Sequence, residues 1–364
     1  MTGTQHSSGA SGSDRGLARL TTLRLGGPAR AVVECRTTDD LLGAVADLDA
    51  RGEPVLVIAG GSNLVIGDAG FDGTAVVIAT TGVEYGEQDG RPYVTALAGT
   101  DWDALVAETV DAGFGGLECL SGIPGAAGTT PVQNVGAYGV EVADMLRSVR
   151  LVDRHTGEVS WVTPDSLALG YRTSVLKGHD RHLVVAVSFW LRPDGTSAPI
   201  RYRELARALR THEGGTARAD EVRDHVLALR AGKGMVLDAA DHDTWSAGSF
   251  FTNPIIAEDD ADAVLARIAD RVGGDVTIPR YPATGGVKLS AGWLIERAGF
   301  TRGFPGDEAP ARLSTKHTLA LTNRGTATTA DLLALAGRVR DGVRDAFGVH
   351  LVPEPVLVNC RLPR

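Results

Sequence analysis

The sequence predicts an α+β fold, and three observations predict it. Its 364 residues are enough for two or three compact domains. Apolar residues make up 43% of the chain and recur in both helical and strand periods, which excludes wholesale disorder. Strand patterns crowd the N-terminal half, and helical patterns dominate the C-terminal half. Glycine is in excess, with 46 residues against roughly 7% of an average chain. Seventeen of them fall between Gly60 and Gly139, so the excess marks one region rather than the whole chain.

The opening MTGTQHSSGASGSDRG is Ser/Gly/polar with nothing to bury and reads as a disordered leader. A β-α-β-β run follows: strand 29–35, a helix from about Thr38, then strands 54–59 and 74–80. Thr37 and Thr38 before acidic residues form a start signal, and Leu41, Leu42, Val45 and Leu48 have helical spacing. A second unit carries strand 92–98, helix 101–113 and a Gly/Pro-rich segment reaching Tyr138. Strands 147–153, 158–162 and 182–191 complete it. Residues 192–199 read as a linker or exposed turn. Helices follow near 203–211, 218–230, 259–272 and 288–299, then strand 317–323, an amphipathic helix over 328–347 and a closing strand over 349–359.

Several functions are disfavoured at this level. The net charge is −9, and no Lys/Arg stripe could neutralise a row of phosphates, so nucleic acid is not an expected partner. No apolar run approaches eighteen residues and no basic, then apolar leader opens the chain, so a cytoplasmic protein without a membrane partner is expected. Cys35, Cys119 and Cys360 lie too far apart for a C-x-x-C pair or a disulfide framework and read as small buried hydrophobes. The nine histidines have no ligand spacing, so no metal is indicated; His317 reads as a packing or substrate-adjacent residue at the start of its strand.

Six segments could carry chemistry. Ala59, Gly60, Gly61, Ser62 and Asn63 follow a strand directly; two glycines bring N–H groups close to a ligand and suit a diphosphate. A tight turn between two buried strands fits the same residues, and no helix follows to make a Rossmann site. The loop 116–142 is too long and glycine-rich to be mere packing. Its Gln133 and Asn134 offer donors and acceptors for a flat ring or a phosphate, and interleaved Ile123, Pro124, Pro131, Val132 and Val135 argue for a tied-down path. Arg172 in GYRTSVLKG suits a carboxylate, or is a surface residue. Lys233, between two glycines, can point an ammonium at a phosphate. Ser249 and Asn253 lie in AGSFFTNP, which lacks a hydrolase elbow. Glu354 sits between two prolines, either solvent-facing at an edge or buried with a raised pKa; only the second makes it a catalyst.

Taken together and in this order, these segments resemble the UDP-N-acetylenolpyruvoylglucosamine reductase family over about residues 18–360. The motifs are TTLRLGG, AGGSNLVI, GIPGAAGTTPVQNVGAYG, GYRTS, KGMVLD, AGSFFTNP, KLSAGWLIERAGF, HTLALTN and the terminal PEPV. The N-terminal portion alone would imply only the wider vanillyl-alcohol-oxidase-like FAD enzymes. One departure is Ala59, where members often have glycine; a backbone donor survives that change.

The resemblance implies a three-domain flavoprotein: a leader (1–17), a first FAD-binding subdomain (18–82, with the terminal strand 351–364), a second (83–232) and a substrate-binding domain (233–350). Non-covalent FAD would be held by Ala59 to Asn63 and by Gly122, Ile123, Pro124, Gly125, Gly128, Thr129, Gln133, Asn134, Gly136, Ala137 and Tyr138. NADPH would be the hydride donor and a UDP-sugar enolpyruvyl ether the substrate, met by Tyr202 of the family's tyrosine-loop variant, Lys233 and Asn253. Arg172 and protonated Glu354 would hold the developing enediolate while Ser249 delivers the proton. A monomer is implied. Two other readings stay open: a superfamily oxidase of a small alcohol or lactone, and a non-catalytic nucleotide-binding protein in which Arg172, Ser249 and Glu354 are unrelated in space.

Overall fold

The computed structural model describes residues 16–363. The leader expected over 1–17 therefore lies outside the described residues up to Arg15. Gly16 already bridges to Pro28 and Leu17 is fully buried, so the folded chain includes both.

The first layer is a parallel sheet in which Phe71–Ile78 lies between Ala29–Cys35 and Val55–Ile58. Alternation along the central strand divides two cores: Val76 and Ile78 face one, Ala75 the other. Helix Thr38–Ala50 covers the first face with Leu41, Val45 and Leu48. The Thr37 side chain accepts from the Asp40 amide at its start, as the Thr/acid pattern predicts.

The second layer is a five-stranded antiparallel sheet in the order Val159–Val162, Leu146–Asp153, His182–Trp190, Arg91–Leu97 and Val83–Gln88. Helix Trp102–Asp111 packs on it, with Trp102 meeting Phe189 edge-on at 5.4 Å, and helix Ala219–Gly232 packs against that helix and the Glu118–Leu120 turn in the same core. Its core is continuous with that over the parallel sheet. Residues 192–199 are a turn, exposed at Pro193 and Asp194, rather than a linker: Arg192 bridges Gly115, Thr196 bridges Arg218, and Ser197 is fully buried.

A separate core gathers helix Thr329–Phe347, helices Ala291–Arg297 and Glu258–Val272, the antiparallel sheet Ile255–Ala257, Gly286–Leu289 and Arg280–Ala283, and the pair Ala311–Leu313 and Leu321–Asn323. Leu23, Leu25, Val65, Val349 and Leu351 enter it too, so segments from both ends of the chain tie it to the rest. Thr328 and Asp331 form a capping box at the start of the long helix, and Gly348 at φ +70° ends it.

Three elements are shorter than expected, each for a local reason. Over 317–320 the chain turns, with Ala320 donating to the His317 carbonyl and the Ser314 hydroxyl accepting from Lys316 and His317 amides. His317 therefore precedes the strand rather than starting it. In the terminal segment Pro353 and Pro355 supply no amide donors, so before the strand Val356–Val358 there is only an isolated antiparallel bridge between Pro353 and Phe251. The helix expected over 288–299 starts at Ala291, where the Ser290 hydroxyl caps it; Gly286–Leu289 is instead the central strand of its sheet.

Candidate active site

The segment Ala59–Asn63 is not a hairpin turn. It leaves Val55–Ile58 of the parallel sheet and enters Leu64–Ile66, which pairs in parallel with Val356–Val358 in a different sheet. Its glycines answer to close backbone approach. A side chain on Gly60 would overlap Gly125 Cα, and one on Gly61, at φ +59°, would overlap the Leu20 carbonyl. Facing it, the 122–139 loop is pinned to the second layer: the Trp102 amide donates to Gly125 O (3.0 Å), Ala127 to Thr100 O (2.8 Å) and Gly128 to Ala98 O (2.9 Å).

Between these two segments opens a cavity of about 900 Å³. Ala59, Gly61, Ser62, Asn63, Ile123, Pro124, Gly125, Gly128, Thr129, Gln133, Gly136, Ala137 and Tyr138 line it, together with Tyr202, Lys233, Arg172, Ser249, Glu354 and His317. Among the described residues, the amides of Gly61, Ser62, Asn63 and Gly125 have no acceptor in the protein. Gly125, at φ +137°, is a cradle that a Cβ would fill, only 2.8 Å from Ser62 Oγ. Unpaired amides around side-chain-free backbone fit the diphosphate of a dinucleotide, and the cavity's size and apolar walls accept its ring.

One wall carries the charged groups. Arg172 Nε stands 3.2 Å from Glu354 Oε1. Nη2 donates to Gly136 O (2.7 Å) and Nη1 to Asn134 O (3.4 Å). Arg172 takes φ +55°, inside a turn closed by reciprocal Gly170–Thr173 bonds. Burial, the largest influence, pushes the Glu354 carboxyl above the usual range, opposed by the charges of Arg172 and Lys177. The buried alternative for Glu354 thus holds. Its amide donates to Phe250 O (2.9 Å), and Phe250 and Phe251 are fully buried, which makes the two aromatics after Ser249 anchors for its segment. Burial pushes Tyr138 up to about 12 and His317 down to about 4, so the imidazole is neutral near pH 7. Tyr138 and Tyr202 meet edge-on at 5.2 Å; Lys233 donates to Glu204 Oε2 (2.7 Å) beside them.

Four expected contact residues stand behind the wall rather than in it. Gly60 serves the close approach to Gly125. The Gly122 amide donates to Asp103 Oδ1 (2.6 Å), and its Cα is packed against Leu227 and Val236. Asn134 is buried, and its side chain is spent on Glu141 Oε2, Gly170 O and the Ala143 amide, so it braces the loop that Arg172 grips. Asn253 Oδ1 accepts from the Ala291 amide (2.9 Å) at the start of a helix. Cys35 and Cys119 are buried as expected, whereas Cys360 is half-buried.

Lys177 and Arg230 were not anticipated. Lys177 lies in the quoted GYRTSVLKG segment, yet a lysine after a loop carries no signal of its own; it lines the cavity and donates to the carbonyls of Arg172 and Glu354. Arg230 also lines the cavity, its buried Nε without a partner among the described residues. Among those residues no helix is long and apolar enough to cross a membrane.

Comparisons with known proteins agree with this geometry. The chain matches a family model described as an FAD binding domain over residues 29–163 and one described as UDP-N-acetylenolpyruvoylglucosamine reductase, C-terminal domain, over residues 240–358. It is 66% identical to the UDP-N-acetylenolpyruvoylglucosamine reductase of Nocardia farcinica over 346 residues, 95% of this chain and 89% of that protein. Its likeness to the reductase of the same name from Saccharopolyspora erythraea is 61% over 348 residues, 95% of each. The crystal structure of the Thermus caldophilus reductase superposes with a TM-score of 0.61 at 26% identity, covering 94% of this chain and 97% of that one.

Proposed function

The chain belongs to the UDP-N-acetylenolpyruvoylglucosamine reductase family, and from that premise we propose that it reduces the enolpyruvyl ether of UDP-N-acetylglucosamine to UDP-N-acetylmuramate, a peptidoglycan precursor, with NADPH as the electron source. It is an FAD-binding oxidoreductase. The observation that carries the reading is that Arg172, Ser249 and Glu354, from three distant segments, line the same cavity as the glycine cradle of Gly61 and Gly125. An oxidase of a small alcohol would have no use for that trio, and a non-catalytic binder would not bring it together.

The Gly61–Asn63 and Ile123–Tyr138 segments would hold FAD, which, once reduced by NADPH, would supply hydride chemistry at the methylene carbon of the substrate. The protein's own groups do the rest. Hydride addition moves negative charge onto the substrate carboxylate, and fixed donors in a dry site act most strongly where charge appears. Arg172, held by two carbonyls, and Glu354, whose carboxyl burial pushes above the usual range, are the groups set to meet that charge. Ser249 gives its hydroxyl proton to the alpha carbon; a hydroxyl is a weak acid, but an enediolate is a strong base. Lys233 and Tyr202 meet the sugar-nucleotide end, with Asn253 supporting that wall from behind. The domain division we propose is FAD-binding subdomains 18–82 with 351–364 and 83–232, with Gly16 and Leu17 packed onto the first, and a substrate domain 233–350, in a cytoplasmic monomer.

The test is NADPH consumption by the yellow protein with and without UDP-N-acetylglucosamine enolpyruvate. Substrate-dependent consumption yielding UDP-N-acetylmuramate is expected. No substrate-dependent NADPH consumption, with oxygen reduced instead at the expense of an added small alcohol or lactone, would point to the oxidase.

A further inference from the structure

Arg172 and Glu354 reach the cavity from segments with unusual backbones. Arg172 sits in the left-handed region at φ +55°, a conformation that a side-chain-bearing residue rarely adopts. Glu354 lies between two prolines that supply no amides, and its own amide donates to Phe250 O. That bond and the Gly170–Thr173 pair hold each segment separately, but they do not join one segment to the other.

Lys177 stands where these two backbones meet. Its Nζ donates to Arg172 O (3.1 Å), to Glu354 O (3.3 Å) and, at 3.5 Å, to Gln133 Oε1. Gln133 Oε1 also accepts from Asn63 Nδ2 (2.7 Å), and Asn63 O accepts the Val356 amide (2.9 Å). One ammonium thus joins the turn after the parallel sheet, the glycine-rich loop, the arginine turn and the terminal segment. No carboxylate oxygen lies within ion-pair distance of Nζ among the described residues. A surface lysine would turn toward solvent; this one is half-buried with three oxygen acceptors. Such charge-assisted bonds are the stronger kind.

We propose that Lys177 is a positioning residue of the site: by gripping the main-chain carbonyls of Arg172 and Glu354 it sets the separation and direction of the pair that meets the substrate. This rests on the reading of Arg172 and Glu354 given above. The ammonium also places a positive charge beside the Glu354 carboxyl, where the other charged or titratable neighbours are Arg172 and Tyr171. Losing it would let burial raise the carboxyl's pKa further, whereas an arginine would keep the charge.

The test compares Lys177→Met and Lys177→Arg with the parent protein by two independent readouts. The first needs no substrate: the Glu354 carboxyl band is followed by isotope-edited infrared titration, identified by its absence in Glu354→Gln. It is expected to titrate at higher pH in Lys177→Met and near the parent value in Lys177→Arg. The second is reoxidation of the reduced flavin by the enolpyruvyl substrate, expected to slow by about tenfold or more in Lys177→Met, mostly in the rate at saturation rather than in apparent affinity, and to recover in part in Lys177→Arg. An unmoved Glu354 titration in Lys177→Met overturns the proposal, as does an equal loss of rate and melting temperature in both variants, which would make Lys177 structural only. A parent protein that the substrate fails to reoxidise refutes the functional reading instead, and the infrared titration still decides the placement of Lys177.

Discussion

Arg172 Nε stands 3.2 Å from Glu354 Oε1, and both side chains are largely buried, at 20% and 14% exposure. An ion pair alone would lower the carboxyl pKa, yet burial outweighs it and the net direction is upward. If Glu354 acts with its proton on, reoxidation of the flavin by substrate should fall as pH rises through that raised pKa. Glu354→Gln, which cannot titrate, is expected to be slow but to lose this alkaline limb while still binding flavin. Stopped-flow reoxidation across pH measures it; a colourless variant would make Glu354 structural.

Ser249 lines the cavity on a segment fixed by the Phe250 amide to Leu319 O (2.7 Å) and by Phe250 O to the Glu354 amide. Removing only its hydroxyl leaves those anchors intact. Ser249→Ala should therefore keep NADPH-driven bleaching of the flavin and lose reoxidation by the enolpyruvyl substrate by several orders of magnitude. Normal reoxidation in this variant would remove Ser249 as the proton donor.

The long regular elements were legible because capping and period speak locally: Thr37, Thr328 and Asp331 mark helix starts, and the apolar spacing of helix Thr329–Phe347 survives intact. Most of the residues that line the cavity stand in segments that motif order singles out. What the sequence could not reveal was direction. Asn134 and Asn253 carry the right chemistry, but the side chain of Asn134 is spent on neighbours that include Gly170, 36 positions away, and the Oδ1 of Asn253 accepts from the Ala291 amide, 38 positions away. Lys177 gains its place only when the turn at Arg172 and the terminal segment at Glu354 are brought together. The strand over 349–359 was overextended because apolar alternation carries no record of the donors that Pro353 and Pro355 lack.

Gly125 combines φ +137° with a site where an added Cβ would stand 2.8 Å from Ser62 Oγ. A methyl there both strains the backbone, by about 1–2 kcal/mol, and occupies the cradle opposite the unpaired amides of Gly61 to Asn63. Gly125→Ala is expected to fold, with a parent-like far-ultraviolet circular dichroism spectrum, but to purify without the flavin band near about 450 nm and to need added FAD for any activity. Full flavin content would show that the diphosphate lies elsewhere.

Glu118 lies outside the site and tests the packing of the second layer. It is fully buried; Oε2 accepts the Gly116 amide (2.5 Å) and Oε1 the Ala198 amide (3.2 Å), tying residues 192–198 to the layer. Burial raises its pKa above the usual carboxylate value. Between the ordinary and the raised value the folded chain holds a proton that the unfolded chain has released. The site's contribution is therefore full below the ordinary pKa and declines as pH climbs through that interval. Glu118→Ala strands two buried amides and should cost about 3 kcal/mol, while Glu118→Gln keeps one acceptor and should cost less. Urea unfolding at several pH values from about 4 to about 7 is the measurement. The parent's advantage over Glu118→Gln is expected to shrink toward neutrality, and an advantage that grows with pH would mean that the carboxyl enters the fold already ionised.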